Sequence, residues 1–371
     1  MKKIFLISAL LTVSLFGFAT IVNIDGVYYY LDEENKTAEV TYEELVSDNN
    51  YPELTSVTIP ETVTFNSTTY SVTSIGRYAF ALCFGLTSVE IPNSVTSINQ
   101  YAFMDCTGLT SVRIPDSVIS IGSGAFQGCK ALTSVEIPKS VRSIGNEAFW
   151  QCTGLTGVYI TDLEAWCKID FPHGIYVSSN PLYYAHHLYL NNEEVKHLII
   201  PETVQKIKNR AFSQCYGLTL IEIPNSVISI GEDAFSYCKD VTELYIGENV
   251  RSIGENAFLG CTFIHNITMC PLDPPEGKSN IFYASIYDNA TLYVPESSLG
   301  LYKARAPWGK FFKIKTLDES GVDEIAMEGS ETLYDIINLK GQIVKRNATR
   351  SDIEGLDKGI YIIGGKKVMI K

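Results

Sequence analysis

The sequence lacks the features that nucleic-acid binding and catalysis usually require. Basic residues are outnumbered, with 29 Lys and Arg against 42 Asp and Glu, which gives a net charge of −13. This balance argues against a general nucleic-acid binder, because phosphate contacts need a basic patch, and an anionic lipid surface is also a poor partner. No phosphate-binding glycine loop, His-Glu-x-x-His or Gly-x-Ser-x-Gly motif is present, so we expect no enzyme.

Metal and cofactor sites lack support as well. The sequence contains no Cys-x-x-Cys motif and only 5 histidines, and its acidic residues do not cluster at calcium-loop spacing. We therefore expect no metal and no cofactor. Cys167 with the nearby His186 and His187 leaves one enzymatic alternative open, a surface enzyme with a nucleophile–base pair.

Long apolar runs are absent beyond the first residues. Residues 1–19 begin with two lysines, continue with an apolar run from Ile4 to Phe16, and end in a small-x-small triplet. This order is typical of a secretory signal peptide. The run is too short to cross a bilayer, and no other stretch reaches about 18 apolar residues. We expect a secreted or cell-surface protein with no membrane span in the mature chain.

The dominant feature that is present is a repeat of 23 residues. Ala-Phe recurs at this step, and a cysteine follows each phenylalanine by three positions. The phenylalanines are Phe80, Phe103, Phe126, Phe149, Phe212, Phe235 and Phe258, with 40 extra residues between the fourth and the fifth. Such a period is typical of a solenoid, in which each repeat buries its apolar face against its neighbours.

One repeat predicts two short strands and a turn. Residues 109–115 alternate apolar and polar side chains, as a strand buried on one face does, and Pro115 ends that strand. A second short strand ends at Gly122, and the Ala-Phe segment suits a short helix or 3₁₀ turn with an inward phenylalanine. The predicted fold class is mainly β with short helices, a solenoid of parallel strands about 4.8 Å apart.

This pattern resembles the BspA-like, or Treponema pallidum type, bacterial leucine-rich repeats. The resemblance rests on segments such as 83–98 and 129–145 and extends over about residues 54–315. It implies a secreted or surface-attached bacterial protein, and some members bind host proteins or other cells. From this we expect a leucine-rich repeat protein that binds an extracellular protein or cell-surface ligand, as a monomer.

Seven of the 9 cysteines share one repeat position: Cys83, Cys106, Cys129, Cys152, Cys215, Cys238 and Cys261. They are either small buried thiols or partners in bridges between layers, since adjacent strands come within disulfide range. An oxidising compartment favours bridges. The odd total and the fixed repeat position favour free buried thiols.

The chain divides into four segments. They are a signal peptide (1–19), an N-terminal β cap (20–53), the solenoid (54–316) and a C-terminal β domain (317–371). The cap should contain a hairpin of residues 25–32 and 37–41. Within the solenoid lie an aromatic insertion at about 157–200, with a turn at Asn191-Asn192, and a closing cap at about 262–316. Trp308, Phe311 and Phe312 are expected to fill the last layer.

The C-terminal segment predicts a small β-sandwich-like domain. Its strands are expected at 333–339, 343–346 and 359–371, with Gly364-Gly365 as a tight hairpin turn. Residues 334–341, 358–362 and 367–371 resemble the C-terminal sorting modules of the type IX secretion system, which implies export by that route. The alternative is a small β domain without a sorting role.

The outward columns of the repeats are the candidate ligand face. It consists of Glu90, Arg113, Glu136, Tyr159 and Tyr245 on the first strands and Arg142 and Arg251 on the second. Mixed aromatic and charged side chains favour protein binding, and a merely solvated face is the alternative.

The aromatic insertion provides a rival site. Trp166, Tyr183 and Tyr184 could form a platform that stacks on a glycan. The same residues are equally consistent with an enlarged repeat that has its own small core.

Overall fold

The computed structural model describes residues 19–42, 51–172, 179–278 and 280–317, and near the C-terminus residues 334–338, 343–348, 352–353, 355–356, 359–363 and 366–370. Residues 1–18 of the predicted signal peptide and the predicted turn at 364–365 lie outside them. The chain divides into two compact units, Met1–Glu194 and Val195–Lys371, called unit 1 and unit 2.

Unit 1 begins with an antiparallel cap of three strands, β1 (Ala19–Ile24), β2 (Val27–Asp32) and β3 (Thr37–Thr41). The β2–β3 hairpin confirms the predicted one, whereas β1 was not predicted. Strand β3 pairs in parallel with the second half of a hairpin formed by β5 (Thr62–Phe65) and β6 (Thr68–Ile75). Tyr29, Leu31 and Val40 are buried, so the cap supplies apolar cover for the first layer.

Two parallel stacks follow in unit 1. The first strands of the repeats are β4 (Ser56–Thr58), β7 (Ser88–Glu90), β9 (Ser111–Arg113), β11 (Ser134–Glu136) and β13 (Gly157–Ile160). The second strands are β8 (Ser97–Ile98), β10 (Ser120–Ile121) and β12 (Ser143–Ile144), which continue from β6. Equivalent residues of successive repeats face one another, for example Ile98, Ile121 and Ile144.

The insertion forms an enlarged repeat at the end of unit 1. It contains two short helices, α1 (Leu163–Cys167) and α2 (Leu182–Ala185), and then β14 (Leu188–Leu190) and β15 (Glu193–Glu194). Strand β14 pairs in parallel with β13, and Asp170 bridges Ser143 in the second stack. The turn at Asn191-Asn192 is confirmed, since both residues have positive φ and join the antiparallel β14 and β15.

Unit 2 repeats the arrangement. Its first-strand sheet contains β16 (His197–Ile199), β18 (Leu220–Ile223), β20 (Glu243–Ile246), β22 (Asn266–Met269), β24 (Thr291–Val294) and β25 (Lys313–Thr316). Its second strands are β17 (Lys206–Ile207), β19 (Ser229–Ile230), β21 (Ser252–Ile253) and β23 (Glu276–Gly277).

The closing cap of unit 2 contains helices α3 (Ala284–Asn289) and α4 (Leu299–Ala304) and 3₁₀ turns at Glu296–Ser298 and Trp308–Lys310. Trp308 and Phe311 are buried, as predicted, and the Trp308 indole N–H donates to the Pro275 carbonyl at 2.8 Å. Phe312 does not fill the last layer: it is 80% exposed, because the adjacent Phe311 already takes the inward position.

The C-terminal segment forms a four-stranded antiparallel sheet in the order β27-β26-β28-β29. Its strands are β26 (Tyr334–Asn338), β27 (Ile343–Ala348), β28 (Gly359–Ile363) and β29 (Lys366–Ile370). The predicted strands are thereby confirmed, but in the described residues they form one sheet and not the two of the predicted β-sandwich-like domain. A role of this sheet in sorting stays a prediction.

The phenylalanines form two internal columns. In unit 1, Phe80, Phe103, Phe126 and Phe149 are fully buried and stack with ring centroids 5.3 Å apart. In unit 2, Phe212, Phe235, Phe258 and Phe282 stack at 5.2 to 5.5 Å. The inward position predicted for the repeated phenylalanines is confirmed, and these rings supply the largest apolar area of each layer.

The Ala-Phe segment is a bent turn rather than the predicted helix or 3₁₀ turn. Its backbone N–H groups donate alternately to the next repeat and to their own turn. The Phe103 N–H donates to the Ala125 carbonyl of the next repeat at 2.7 Å, whereas the Ala102 N–H donates within its own turn. A helix would keep all these donors inside one repeat. The alternation requires left-handed backbone before the alanine and before the cysteine, as at Tyr101 (φ 58°) and Asp105 (φ 55°).

The repeated cysteines are free thiols, as the sequence favoured. The Cys129 thiol donates to the Phe103 carbonyl at 3.2 Å, and the Cys152 thiol donates to the Phe126 carbonyl at 3.0 Å. Burial raises the pKa of Cys152 to about 12. The thiol therefore satisfies a buried carbonyl one repeat earlier, which gives this position a structural role.

Candidate functional site

Strand register aligns two runs of three side chains on the outside of unit 1. Thr58, Glu90 and Arg113 pair in the sheet of β4, β7 and β9, and Glu136, Tyr159 and Tyr189 pair in the sheet of β11, β13 and β14. These six residues, taken in chain order, are called the outer row. Its charged members are exposed because the flanking valine and isoleucine of each strand point into the core. Four of the seven residues predicted for the ligand face thus belong to the outer row, two in each run.

The charges of the outer row alternate in sign and are largely uncommitted. Glu90 accepts a hydrogen bond from the Thr58 hydroxyl at 3.0 Å. Among the described residues, Arg113 and Glu136 have no ion-pair partner within 4.0 Å. Both side chains therefore remain available to a ligand.

A row of serines runs beside the charges. Ser88, Ser111 and Ser134 lie two residues before the outer-row position of their strands, and their hydroxyls bond to none of the described residues. The threonines one position earlier differ, since the Thr110 hydroxyl donates to the Thr87 carbonyl at 3.2 Å. The strands form a shallow depression of ≈ 610 Å³, lined by residues that include Ser88, Glu90, Ser111 and Arg113.

Two tyrosines end the outer row. The Tyr159 and Tyr189 rings stack with centroids 4.6 Å apart and an interplanar angle of 11°. Gly157 makes room for them, because a Cβ there would lie 3.0 Å from both rings. The sequence did not lead us to place Tyr189 on the ligand face. The alternation of side chains in its strand could have identified it, because it follows the same pattern as in the other first strands.

Tyr245 occupies the equivalent register in unit 2 but is not a surface residue. It pairs with Glu222 and Thr268 on the neighbouring strands, as expected. Nevertheless it is only 8% exposed, and its hydroxyl lies against Cys270, just after β22. Burial raises the pKa of Tyr245, and its ring offers no face to a ligand.

The two predicted arginines of the second strands lie outside the outer row. The Arg142 guanidinium donates to the Lys139 carbonyl at 2.6 Å, within its own turn. Arg251 is exposed and lines a different depression together with Glu248 and Arg305. The sequence assigned both arginines to the second strands, and the structure keeps that column apart from the outer row.

Of the three predicted insertion residues, Trp166 lies in the core, whereas Tyr183 and Tyr184 are half-buried. Trp166 is 1% exposed and packs against Phe171 with ring centroids 5.5 Å apart. Tyr184 accepts a hydrogen bond from the Gln151 N–H at 3.0 Å, and Tyr183 meets Tyr184 edge to face. The structure therefore removes Trp166 from the predicted surface patch, because helix α1 turns its ring inward.

The cysteine and histidine of the enzymatic alternative are poorly placed for catalysis. Burial raises the pKa of Cys167 to about 12, whereas a nucleophilic cysteine must be a thiolate near neutral pH. His187 bonds through Nδ1 to Glu194 at 2.7 Å. Within the described ranges, no group of three His, Cys, Asp or Glu side chains is arranged to hold a metal ion. No helix in those ranges is long and apolar enough to cross a membrane.

Comparison with protein families identifies the repeat. A model of the BspA type leucine rich repeat region matches residues 73–165 and 185–297 in 6 copies. No curated protein matches the chain.

Several solved bacterial structures are similar to the chain. A leucine rich repeat protein of T. pallidum is 22% identical, with 64% of this chain and 86% of that chain covered and a TM-score of 0.38. One of Eubacterium ventriosum is 21% identical, with coverage of 81% and 85% and a TM-score of 0.43. One of Bacteroides capillosus is 31% identical, with coverage of 38% and 99% and a TM-score of 0.34.

Proposed function

Because this chain belongs to the family of BspA type leucine-rich repeat proteins, we propose that it binds a macromolecule outside the cell. It acts by binding rather than catalysis, and the ligand is an extracellular protein or a component of a cell surface. The binding surface is the outer row of unit 1.

The single observation that supports this surface most is the alternation in charge of the exposed Glu90, Arg113 and Glu136, none of which has an ion-pair partner among the described residues. Exposed charges without an ion-pair partner cost the unbound protein little free energy. They also fix the orientation and register of a ligand through electrostatic complementarity. The tyrosine stack beside them adds rigid, amphipathic contact area at low entropic cost. A glycan ligand has less support, since Trp166 is buried.

Secretion and surface attachment are part of the proposal. The charged and apolar start of the chain and the terminal four-stranded sheet are consistent with a signal peptide followed by a type IX sorting domain. Deleting residues 317–371 should leave the protein inside the producing cell, as detected by fractionation. Normal export of the shortened chain would contradict the sorting role.

Binding of the full chain to an array of extracellular-matrix proteins and glycans tests the proposed ligand class. We expect saturable binding to a protein that the Arg113→Ala/Glu136→Ala variant loses. The matched control is Arg142→Ala/Glu202→Ala, which removes the same charges away from the outer row and should bind normally. Equal loss in both variants, or binding to glycans only, would contradict the proposed surface.

A further inference from the structure

Unit 2 carries a depression that the proposed function does not use. Its volume is ≈ 720 Å³, which is within the usual range of ligand sites. Its lining residues come from the turn before β21 and from the segment before β23. We call it the unit 2 depression, and its lining includes Glu248, Arg251, Leu272, Asp273, Glu276 and Arg305.

The backbone on one side of this depression is held by the closing cap. Residues 271–275 read Pro-Leu-Asp-Pro-Pro, and the prolines restrict their conformation. Side chains of the cap also donate hydrogen bonds to the carbonyl groups of this segment. The Ser298 hydroxyl donates to Leu272 at 2.7 Å, the Tyr302 hydroxyl to Pro271 at 2.9 Å, and the Trp308 indole to Pro275 at 2.8 Å.

This held segment nevertheless leaves an apolar side chain in solvent. Leu272 is 64% exposed although its own carbonyl is bonded to the cap. A ligand that packs on Leu272 does not have to order the backbone beneath it, so the entropic cost of binding is small.

The guanidinium group of Arg251 faces the same depression without a partner. Arg251 is exposed, and its side chain makes no hydrogen bond or ion pair with any described residue. Arg142 has the equivalent repeat position in unit 1, but its guanidinium donates to the carbonyls of Lys139 at 2.6 Å and Val141 at 3.2 Å. All five N–H donors of Arg251 therefore remain available to a ligand.

Arg305 supplies a second guanidinium group. It donates through Nη1 to Asp273 Oδ1 at 2.8 Å and to the Pro274 carbonyl at 3.0 Å, and its other donors have no partner in the described part of the chain. The carboxylates of Glu248, Asp273 and Glu276 line the depression as well. Three carboxylates beside two guanidinium groups disfavour a doubly charged phosphate, whereas a single carboxylate fits the planar guanidinium donors.

From these observations we infer that the unit 2 depression binds a peptide carboxylate that stands next to an apolar side chain. The carboxylate pairs with Arg251 and Arg305, and the apolar side chain packs on Leu272. An acidic side chain and a peptide C-terminus present the same chemistry to this site. The site uses no residue of the outer row and gives the chain a second ligand position.

Fluorescence polarisation with short labelled peptides and the full chain tests the inference. One probe is Ser-Gly-Ser-Gly-Asp-Leu with an amidated end, and the other is Ser-Gly-Ser-Gly-Asn-Leu with a free C-terminus. The second peptide in amidated form is the neutral comparison.

Each exposed ion pair changes an equilibrium by a factor of about 1.4 to 5. With two arginines, at least one carboxylate peptide should therefore bind more tightly than the neutral peptide, by a factor of about 2 to 30. The tighter of the two identifies the source of the carboxylate. Equal affinity of all three peptides, or absence of binding, would overturn the inference.

Variants with matched controls supply the second arm. Arg251→Gln should weaken the carboxylate peptide by a factor of about 1.4 to 5, whereas Arg142→Gln, the same change at the equivalent position of unit 1, should have no effect. Leu272→Ser should weaken all three peptides, whereas Leu301→Ser changes an exposed leucine outside the depression and should not. All four side chains are exposed, so the variants should fold. Equal losses in a variant and its control would contradict the site.

The two proposals can fail separately. Loss of array binding depends on Arg113 and Glu136 in unit 1, and loss of peptide binding depends on Arg251 and Leu272 in unit 2. Peptides that bind the chain equally with and without Arg251 would overturn the unit 2 site alone.

Discussion

Replacing Phe126 with alanine removes a middle ring of the unit 1 column. The side chain is fully buried between Phe103 and Phe149, with both ring centroids 5.3 Å away. Burial of this kind makes Phe→Ala cost about 3–5 kcal/mol of unfolding free energy. Phe126→Leu retains most of the apolar volume but loses two ring contacts of about 0.5–1.5 kcal/mol each, so about 1–3 kcal/mol is expected.

Urea denaturation followed by circular dichroism measures these losses. The matched control is Phe84→Ala, which deletes the same group from a side chain that is 53% exposed and should cost less than about 0.5 kcal/mol. Hydrogen exchange should place the destabilisation of the Phe126 variants in unit 1. A Phe126→Ala loss below about 1 kcal/mol, or an equal loss for Phe84→Ala, would refute the argument that the stacked column stabilises the repeats.

Four further outcomes are expected. A thiol reagent should label only Cys270 rapidly in the native protein and all 9 cysteines in guanidinium, since the others are buried. Because folding raises the pKa of Cys152 from 9.0 to about 12, its contribution to stability is complete below pH 9 and is lost as pH rises towards 12, which urea midpoints across this range can detect. Gly124→Ala should be more destabilising than Gly26→Ala in thermal melts: both glycines have positive φ, but only at Gly124 would a Cβ meet a tyrosine ring, at 2.2 Å. Trp308→Phe should lower the unfolding free energy by about 0.5–1.5 kcal/mol through its lost hydrogen bond, and an unchanged melt would argue against that bond.

The repeat architecture was predictable because the same residue types recur at the same positions of every repeat. The strands, the inward phenylalanines and the buried thiols all follow from positions that recur in register. The bent Ala-Phe turn was not predictable, because its hydrogen bonds join residues of different repeats. No local propensity favours positive φ at Tyr101. The conformation is stabilised by the hydrogen bond of its N–H to a carbonyl of the next repeat.

The sequence predicted which way the side chains of the candidate site point but not which of them are exposed. Strand alternation correctly turned Glu90, Arg113 and Glu136 outward. The same rule gave Tyr245 its orientation but could not show that the segment after β22 would cover it. Trp166 lies in an irregular insertion, where no period relates sequence position to a face of the fold.

In the regular repeats, the hydrogen bonds between Ala-Phe turns link a donor to a carbonyl 22 positions later, as from Phe103 to Ala125. A gain or loss of one whole repeat would leave every donor with an equivalent acceptor, whereas a shift by one residue would turn outward side chains into the core. The long insertion conforms to this restriction, since it returns to the sheet with Leu188 opposite Val158. Recombination between repeats can therefore lengthen or shorten the chain in steps of one layer, and each step would add or remove one side chain of the outer row and so change its order of charges.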